Sequence, residues 1–155
     1  MKDFVVLYIL YPNLENPTHV LYLRKNPKGN APKILWNRLV GIGGGVEEED
    51  ISNNLEDTIF NATIREIKEE LEIIIDKKNL VLSGKLYRIK QHRNIYFLKT
   101  AFDKKIDSKN IANEGKIAYF EIDYHKKKPN EFPPEDGKIL DKVFFENQYF
   151  EESLE

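Results

Sequence analysis

The fold is decided by residues 55–73, which read LEDTIFNATIREIKEELEI. Apolar side chains recur along this stretch at spacings of four, three and four residues, at Phe60, Ile64, Ile67 and Leu71. Because this period is helical, the sequence predicts an amphipathic helix with one apolar stripe facing the core. Asn53, with Glu56 three residues later, is the predicted capping pair at its start.

The segments around this helix predict a mixed β-sheet. Strand composition marks residues 4–11, 19–23, 80–89, 95–102 and 117–122, a glycine-rich run at 39–46 predicts a turn, and Pro133 and Pro134 open a second helix that runs to about Phe150. The order strand, strand, glycine turn, helix, three strands, helix predicts an α+β fold, with a mixed sheet flanked by helices. We expect one domain over residues 1–155.

Composition narrows the class of protein. The chain has 155 residues, 41% apolar and 32% charged, which is typical of a globular domain. A net charge of −2 gives no support for a nucleic-acid or membrane partner bound through bulk charge. There are no cysteines, which excludes disulfides, thiolate metal sites and cysteine nucleophiles. The apolar run at 4–11 is too short for a membrane span, so cytoplasmic location is the expectation.

A second face of the predicted helix carries three carboxylates. At about 100° per residue, Glu69, Glu66 and Glu70 fall at roughly −60°, 0° and +40° around the axis. Like charges at these spacings repel, and they crowd the negative end of the helix dipole. Either this face is solvated, or a hard cation such as Mg²⁺ offsets the repulsion and binds substrate phosphates. The glycine run upstream allows close backbone approach and positive φ, and such a loop can offer N–H groups to phosphate.

The same residues resemble the Nudix box, whose pattern is G-x5-E-x7-R-E-U-x-E-E-x-G-U with U aliphatic. Arg65-Glu66-Ile67, Glu69-Glu70 and Ile73 match its central part, and Asp57 keeps the seven-residue gap before the Arg. The chain departs from the pattern in two residues and one spacing. Asp57 replaces a Glu, Glu72 stands at the usual Gly, and eleven or twelve residues separate the glycines from Asp57. We interpret residues near 50–55 as a loop insertion.

The resemblance implies a Nudix fold, an α/β/α sandwich, and a metal site. Glu66, Glu69 and Glu70 would hold Mg²⁺, with Mn²⁺ as a possible substitute, and Gly44 would add a backbone carbonyl. Arg65 would hold a glutamate in place, and Asp57 would assist the helix start or the metal shell. Glu114 is either a second-site carboxylate, as metal ligand or base, or a turn residue.

Weaker patterns are similar to the MutT-like 8-oxo-purine nucleotide hydrolases of that family. They are Trp36-Asn37, the stretch 113–120 and the Asp136 region. Trp36 and Asn37 would stack on and read a base, although core packing is the alternative for Trp36. Asp136 would also contact substrate, and Arg24 and Arg38 either steer phosphates or are ordinary surface charges.

The implied activity is Mg²⁺-dependent hydrolysis of a nucleoside triphosphate to the monophosphate and pyrophosphate. The expected partner is therefore a small nucleotide, oxidised or noncanonical, with no nucleic acid and no membrane. Two alternatives stay open: another nucleotide derivative, such as a nucleotide sugar, a dinucleoside polyphosphate or capped RNA, or a nucleotide-binding module that has lost catalysis.

Overall fold

A computed structural model describes residues 2–27, 32–111 and 114–155. The strands are β1 (Lys2–Tyr11), β2 (His19–Lys25), β3 (Leu39–Val40), β4 (Ile42–Gly45), β5 (Val81–Arg88), β6 (Arg93–Ala101), β7 (Lys109–Ile111), β8 (Gly115–Glu121) and β9 (Phe150–Leu154). The α-helices are α1 (Leu55–Leu71), α2 (Tyr124–Lys127) and α3 (Asp136–Phe145). All of these strands join one sheet in the order β7-β8-β2-β1-β6-β5-β9, with β3 and β4 paired to β2 and β1.

The sheet is mixed, as the element order predicted. β1 runs parallel to β6 from the Lys2–Arg93 pair to the Leu10–Ala101 pair, β5 runs parallel to β9, and the other pairs are antiparallel. The central strand β1 is buried on both faces, which explains its continuous apolar sequence.

The glycine-rich run forms two short strands and not the predicted turn. β1 and β2 pair only beside their hairpin, and β3 and β4 fill the space where they diverge. Gly115 is the only glycine with positive φ in the described part of the chain, so the expectation of positive φ in the run is wrong. Close approach is instead what these glycines provide, because a Cβ on Gly43 would lie 1.9 Å from the Val5 carbonyl oxygen.

Helices cover both faces of the sheet. Side chains of one face, including Leu7, Ile9 and Leu21, pack with α1. Those of the other face, including Tyr8, Leu10 and Tyr22, pack with α3. The layers therefore form the expected α/β/α sandwich. Across residues 2–27, 32–111 and 114–155, each helix is either too short or too polar to cross a lipid bilayer.

The C-terminal part differs from its prediction. The last helix ends at Phe145, and Phe150 begins β9. Phe150 pairs with Gly84 of β5, where any Cβ would meet its ring at 2.3 Å. This contact joins residues distant in sequence, so local periodicity could not show it. The strands predicted at 80–89, 95–102 and 117–122 are confirmed as β5, β6 and β8, whereas β7 and α2 were not anticipated.

Both ends of α1 have defined caps. Asn54, and not Asn53, is the N-cap, and its side chain accepts a hydrogen bond from the Asp57 amide at 2.8 Å. At the other end, Glu72 has φ 59° and ψ 33°, and its amide donates to the Lys68 carbonyl at 3.0 Å. This left-handed conformation favours glycine, the residue that the box pattern places there. Glu72 takes the same turn at a steric cost.

The substitution Glu72→Gly should therefore raise the free energy of unfolding by about 1 kcal/mol, because glycine adopts positive φ without the Cβ penalty. Urea denaturation measures it. Glu72→Gln is the matched control, since it removes the same charge from the negative end of the helix but keeps the Cβ. An equal gain in both variants would assign the effect to charge.

Candidate active site

The buried face of α1 includes one of the predicted metal ligands. Ile59, Ala62, Glu66, Ile67 and Leu71 are buried on this face. Phe60 and Ile64, which belong to the predicted stripe, are only partly buried against the same core. The helix is therefore rotated from the predicted orientation, and Glu66 lies between the helix and the sheet.

Gly44 makes room for this carboxylate. A Cβ at Gly44 would lie 2.5 Å from Oε1 of Glu66, so any larger residue would collide with the glutamate. The Glu66 residue is 9% exposed, and burial raises the pKa of its carboxyl group although Arg65 opposes this shift. The predicted pairing of Gly44 with the helix carboxylates thus has a direct geometric basis.

Arg65 connects the helix to the segment before it. Its Nε and Nη2 donate to the Asp50 carboxylate, with shortest distances of 2.9 Å, and Nη2 also donates to the Gly45 carbonyl at 3.0 Å. Nη1 reaches Glu66 Oε1 and Glu69 Oε2, each at 3.2 Å. A two-pronged contact to one carboxylate fixes the guanidinium, so its remaining N–H groups hold two helix glutamates in defined positions.

Asp50 was predicted to lie in an inserted loop and not at the site, but its carboxylate accepts hydrogen bonds from Arg65. The residue is 2% exposed and also accepts a hydrogen bond from the Glu47 amide at 2.9 Å. Burial alone would raise the pKa of this carboxyl group, but the hydrogen bonds from Arg65 and Glu47 bring it below its usual range. One signal was available: Asp50 stands six positions after Gly44, the G-x5-acid spacing of the pattern. The extra residues therefore lie between this acid and Arg65.

Asp57 lies away from the carboxylate cluster. Glu66 is nine positions further along the helix, which is about 14 Å at about 1.5 Å per residue. Its amide is capped by Asn54, and its carboxylate lies 3.6 Å from Lys77 Nζ. The predicted role at the helix start fits this position, and the predicted role in a metal shell does not.

Glu70 is half-buried beside Glu66 on α1. Its Oε2 is buried and has no hydrogen-bond partner among the described residues. Burial, together with the nearby charges of Glu66 and Glu114, raises the pKa of Glu70 to about 8. Glu69, in contrast, has a side chain that is 57% exposed, so it faces solvent at the rim.

Glu114, in the turn before β8, lies close enough to Glu70 for its charge to raise the pKa of that carboxyl group. Lys25 Nζ donates to Glu114 Oε2 at 3.0 Å, and the Asn26 amide donates to the Glu114 carbonyl at 2.8 Å. The next residue, Gly115, has φ 143° and no space for a Cβ, which would lie 1.9 Å from the Arg24 carbonyl oxygen. The turn is therefore pressed against the end of β2. Of the similar stretch 113–120, Asn113 is outside the described residues.

A cleft of about 380 Å³ opens beside Lys25. It is lined by Arg24, Lys25, Asn26, Pro27, Asn37, Asn110, Ile111, Gly115 and Lys116. Three cations and several amide groups therefore surround a space next to the Glu114 turn. Such a lining is suited to a phosphorylated ligand.

The two predicted phosphate-steering arginines make intramolecular contacts. Arg24 pairs with Glu131 at 2.7 Å and donates to the Asn37 carbonyl at 2.9 Å. Arg38 donates to the Asn130 carbonyl. Both thus tie the chain before β3 to the turn at 129–131. Arg24 still lines the cleft, whereas Arg38 does not.

Asp136, predicted to contact substrate, lies apart from the predicted base-reading pair Trp36 and Asn37. Asn37 has φ 62° and lines the cleft, and the ring of half-buried Trp36 lies under Lys33 Nζ at 5.8 Å. Asp136 begins α3 on the other face of the sheet, where its charge acts on the buried Tyr8 and Tyr22 phenols. Burial raises the pKa of Asp136 to about 7, against the opposing charge of Arg88.

Solved structures identify the architecture. A MutT mutator protein from Bacillus halodurans has 18% sequence identity and a TM-score of 0.64, with 97% of this chain and 90% of that chain covered. A Nudix hydrolase from Nitrosomonas europaea has 12% identity and a TM-score of 0.68, with 99% and 78% covered. The chain has the Nudix fold. No family model matches its sequence.

Another solved structure with this fold is the T. brucei MERS1–RNA complex, with 14% identity, a TM-score of 0.60, and 92% of this chain and 62% of that chain covered. Nudix folds therefore occur in a protein solved with RNA as well as in proteins named hydrolases. At these identities the likeness establishes the fold alone.

The donor set of this Nudix fold suits a hard divalent cation. Within the described residues, no three acidic or histidine side chains already converge as metal ligands. However, Glu66 and Glu70 both bring buried or half-buried carboxylates to this part of α1, Oε2 of Glu70 lacks a partner, and the missing side chain at Gly44 lets the Glu66 carboxylate lie against the β4 backbone. Oxygen donors of this kind are the ligands of Mg²⁺ and Mn²⁺.

The pH dependence of the free energy of unfolding should show the raised pKa of Glu70. Its folded pKa of about 8 exceeds the ordinary value of 4.5, so the folded state keeps a proton that the unfolded chain releases. Metal-free protein should therefore lose stability as pH rises from about 4.5 to about 8. Urea denaturation in chelator across this range should give a flatter profile for Glu70→Gln than for the parent. Parallel profiles would contradict the raised pKa.

Proposed function

We propose that this chain is a Nudix pyrophosphohydrolase that hydrolyses a nucleoside triphosphate to a monophosphate and pyrophosphate with Mg²⁺ or Mn²⁺. The observation that carries the proposal is the Arg65 network, which holds Glu66 and Glu69 beside the buried Glu70. A cluster of like charges is costly in a metal-free helix, and a divalent cation would offset that cost.

Each residue of the cluster has a distinct proposed task. Glu66 and Glu70 would hold the metal with the Gly44 carbonyl, and Glu69 would complete the set from the rim. Arg65, anchored on Asp50, keeps Glu66 and Glu69 in position. When bound, Mg²⁺ supplies charge neutralisation for the phosphates and a more acidic water.

Proton transfer needs a carboxylate close to the attacked phosphorus. Glu69, Glu70 and Glu114 are the proposed candidates, because the charges of Glu69 and Glu114 both act on Glu70. The accepting group takes a proton from water, while the leaving phosphate oxygen departs with its electron pair. Individual glutamine variants identify this group by the largest loss of kcat.

The cleft beside Lys25 is the proposed place for the nucleotide. Arg24, Lys25 and Lys116 would face its phosphates, and Asn37 would contact its sugar or base. Trp36 remains a proposed base contact and Asp136 a proposed substrate contact, and we propose an oxidised or noncanonical purine as the substrate class. Arg38 is not part of this proposal because its guanidinium is engaged by Asn130.

A small nucleotide is the proposed partner. The net charge of −2 argues against a long nucleic acid held by bulk charge, although the MERS1–RNA complex makes RNA the second candidate. We propose no membrane partner, and location in the cytoplasm stays a prediction of the sequence.

A substrate panel with Mg²⁺ tests the proposal. It compares canonical and 8-oxo-purine triphosphates with nucleotide sugars, dinucleoside polyphosphates and capped RNA, and it scores pyrophosphate against phosphate release. Pyrophosphate release from a triphosphate, abolished by chelator and restored by Mn²⁺, is the expected result. Hydrolysis of another class only would reassign the substrate. Nucleotide binding without any hydrolysis would identify a noncatalytic module.

A further inference from the structure

Lys25 occupies an unusual position at the junction of the cleft and the carboxylate cluster. Its ammonium group is 3.0 Å from Glu114 Oε2, and the two side chains are only 21% and 37% exposed. The charge of Lys25 also lowers the pKa of Glu70, against the effects of burial, Glu66 and Glu114. One cation thus acts on two carboxylates that come from different elements.

The backbone fixes this position. The Lys25 amide donates to the Arg38 carbonyl at 2.9 Å, and its own carbonyl accepts from the Asn37 amide at 3.0 Å. On the other side, Lys25 is paired in register with Gly115, where no side chain fits. The backbones of Lys25 and of the Glu114 turn are therefore held beside each other, and this arrangement favours the contact between their partly buried side chains.

We propose that Lys25 is the counter-ion of the carboxylate cluster in the metal-free protein. The divalent metal would take over part of this charge neutralisation when it binds. The inference rests on the proposed function, because it assumes that Glu66 and Glu70 bind the metal. Lys25 holds Glu114 by its ion pair and offsets the charge of the cluster. If a divalent ion were bound beside Glu70, the Lys25 ammonium group would be repelled from it, and Glu114 would be released to the site.

If Lys25 has this role, its removal should strengthen metal binding, whereas removal of a merely structural lysine should not. Removing a nearby positive charge makes a cation bind more tightly, since like charges repel through the protein interior. The same removal destabilises the metal-free protein because the carboxylates lose their offset. Metal affinity and metal-free stability should therefore change in opposite directions.

Lys25→Met tests the proposal without any assay of turnover. Calorimetric titration with Mn²⁺, without nucleotide, should show binding about tenfold tighter than in the parent. Thermal unfolding in chelator should occur at a lower temperature, and saturating Mn²⁺ should raise it more in the variant than in the parent. Lys25→Arg, which keeps the charge, should remain close to the parent in both measurements.

Lys116→Met is the matched control. Lys116 lines the same cleft but is exposed, and it pairs in register with Arg24 on the opposite side of the sheet from Lys25. Its Mn²⁺ affinity should stay near that of the parent. Unchanged or weaker Mn²⁺ binding in Lys25→Met would overturn the inference, as would an equal gain in Lys116→Met. A parent protein that binds no Mn²⁺ would instead overturn the proposed metal dependence, and the inference with it.

Discussion

Turnover should fall by about 10²–10³-fold when Glu70 is replaced by glutamine, which is the scale expected for loss of a group that holds the metal or moves a proton. The carboxamide keeps the size of the side chain but binds Mg²⁺ weakly. Because Oε2 of Glu70 is buried without a partner, the variant loses no hydrogen bond that the described residues make to that atom. Its fold should persist, and circular dichroism checks this.

Two further variants test whether the loss of turnover is specific to the carboxylate cluster. Glu69→Gln should also lower kcat by orders of magnitude, because Glu69 is held by the same arginine as Glu66. Glu56→Gln, an exposed glutamate in the first turn of the same helix, should leave kcat within about twofold. Undiminished turnover in both Glu69→Gln and Glu70→Gln would remove α1 from the mechanism.

We expect the free energy of unfolding to drop by about 3 kcal/mol in Asp50→Asn, because a buried carboxylate that accepts hydrogen bonds from Nε and Nη2 of Arg65 is replaced by a neutral group. An amide nitrogen would also face the guanidinium N–H groups. Since Arg65 then loses its anchor, Glu66 and Glu69 are less constrained, and the KM for Mg²⁺ should rise. Urea denaturation and a Mg²⁺ titration of activity measure the two effects.

Asp57→Asn is the matched control for this variant, since it makes the same chemical change at the acid that the box spacing had favoured. The Asp57 amide and its Asn54 cap remain, and the lost ion pair with Lys77 is exposed and 3.6 Å long. A cost below about 1 kcal/mol is therefore expected. If Asp57→Asn were as costly as Asp50→Asn, the assignment of Asp50 as the partner of Arg65 would be wrong.

The sequence predicted the elements whose signal is local. The α1 period, the early strands and the central sheet strands are visible as runs of apolar residues, and three glutamates on one helix follow from spacing alone. The rotation of α1 was not predictable in this way. It depends on Gly44, which admits the Glu66 carboxylate into the interface with the sheet.

Non-local contacts account for the remaining differences. β3, β4 and β9 are short strands that exist because longer strands leave backbone groups for them to pair with. Arg65 reaches back fifteen residues to Asp50, across a segment that local reasoning treats as a loop. Glu114 and Lys25 meet because β2 and β8 are neighbours in the sheet, although the chain separates them by 89 residues.

The proposed mechanism requires a divalent ion between α1 and β4. An anomalous difference map from crystals grown with Mn²⁺ and a nonhydrolysable nucleoside triphosphate would locate this ion. We expect a peak bounded by Glu66, Glu70 and the Gly44 carbonyl, with the phosphates of the nucleotide against it. A bound nucleotide with no peak at these residues, or with its phosphates away from α1, would contradict the claim.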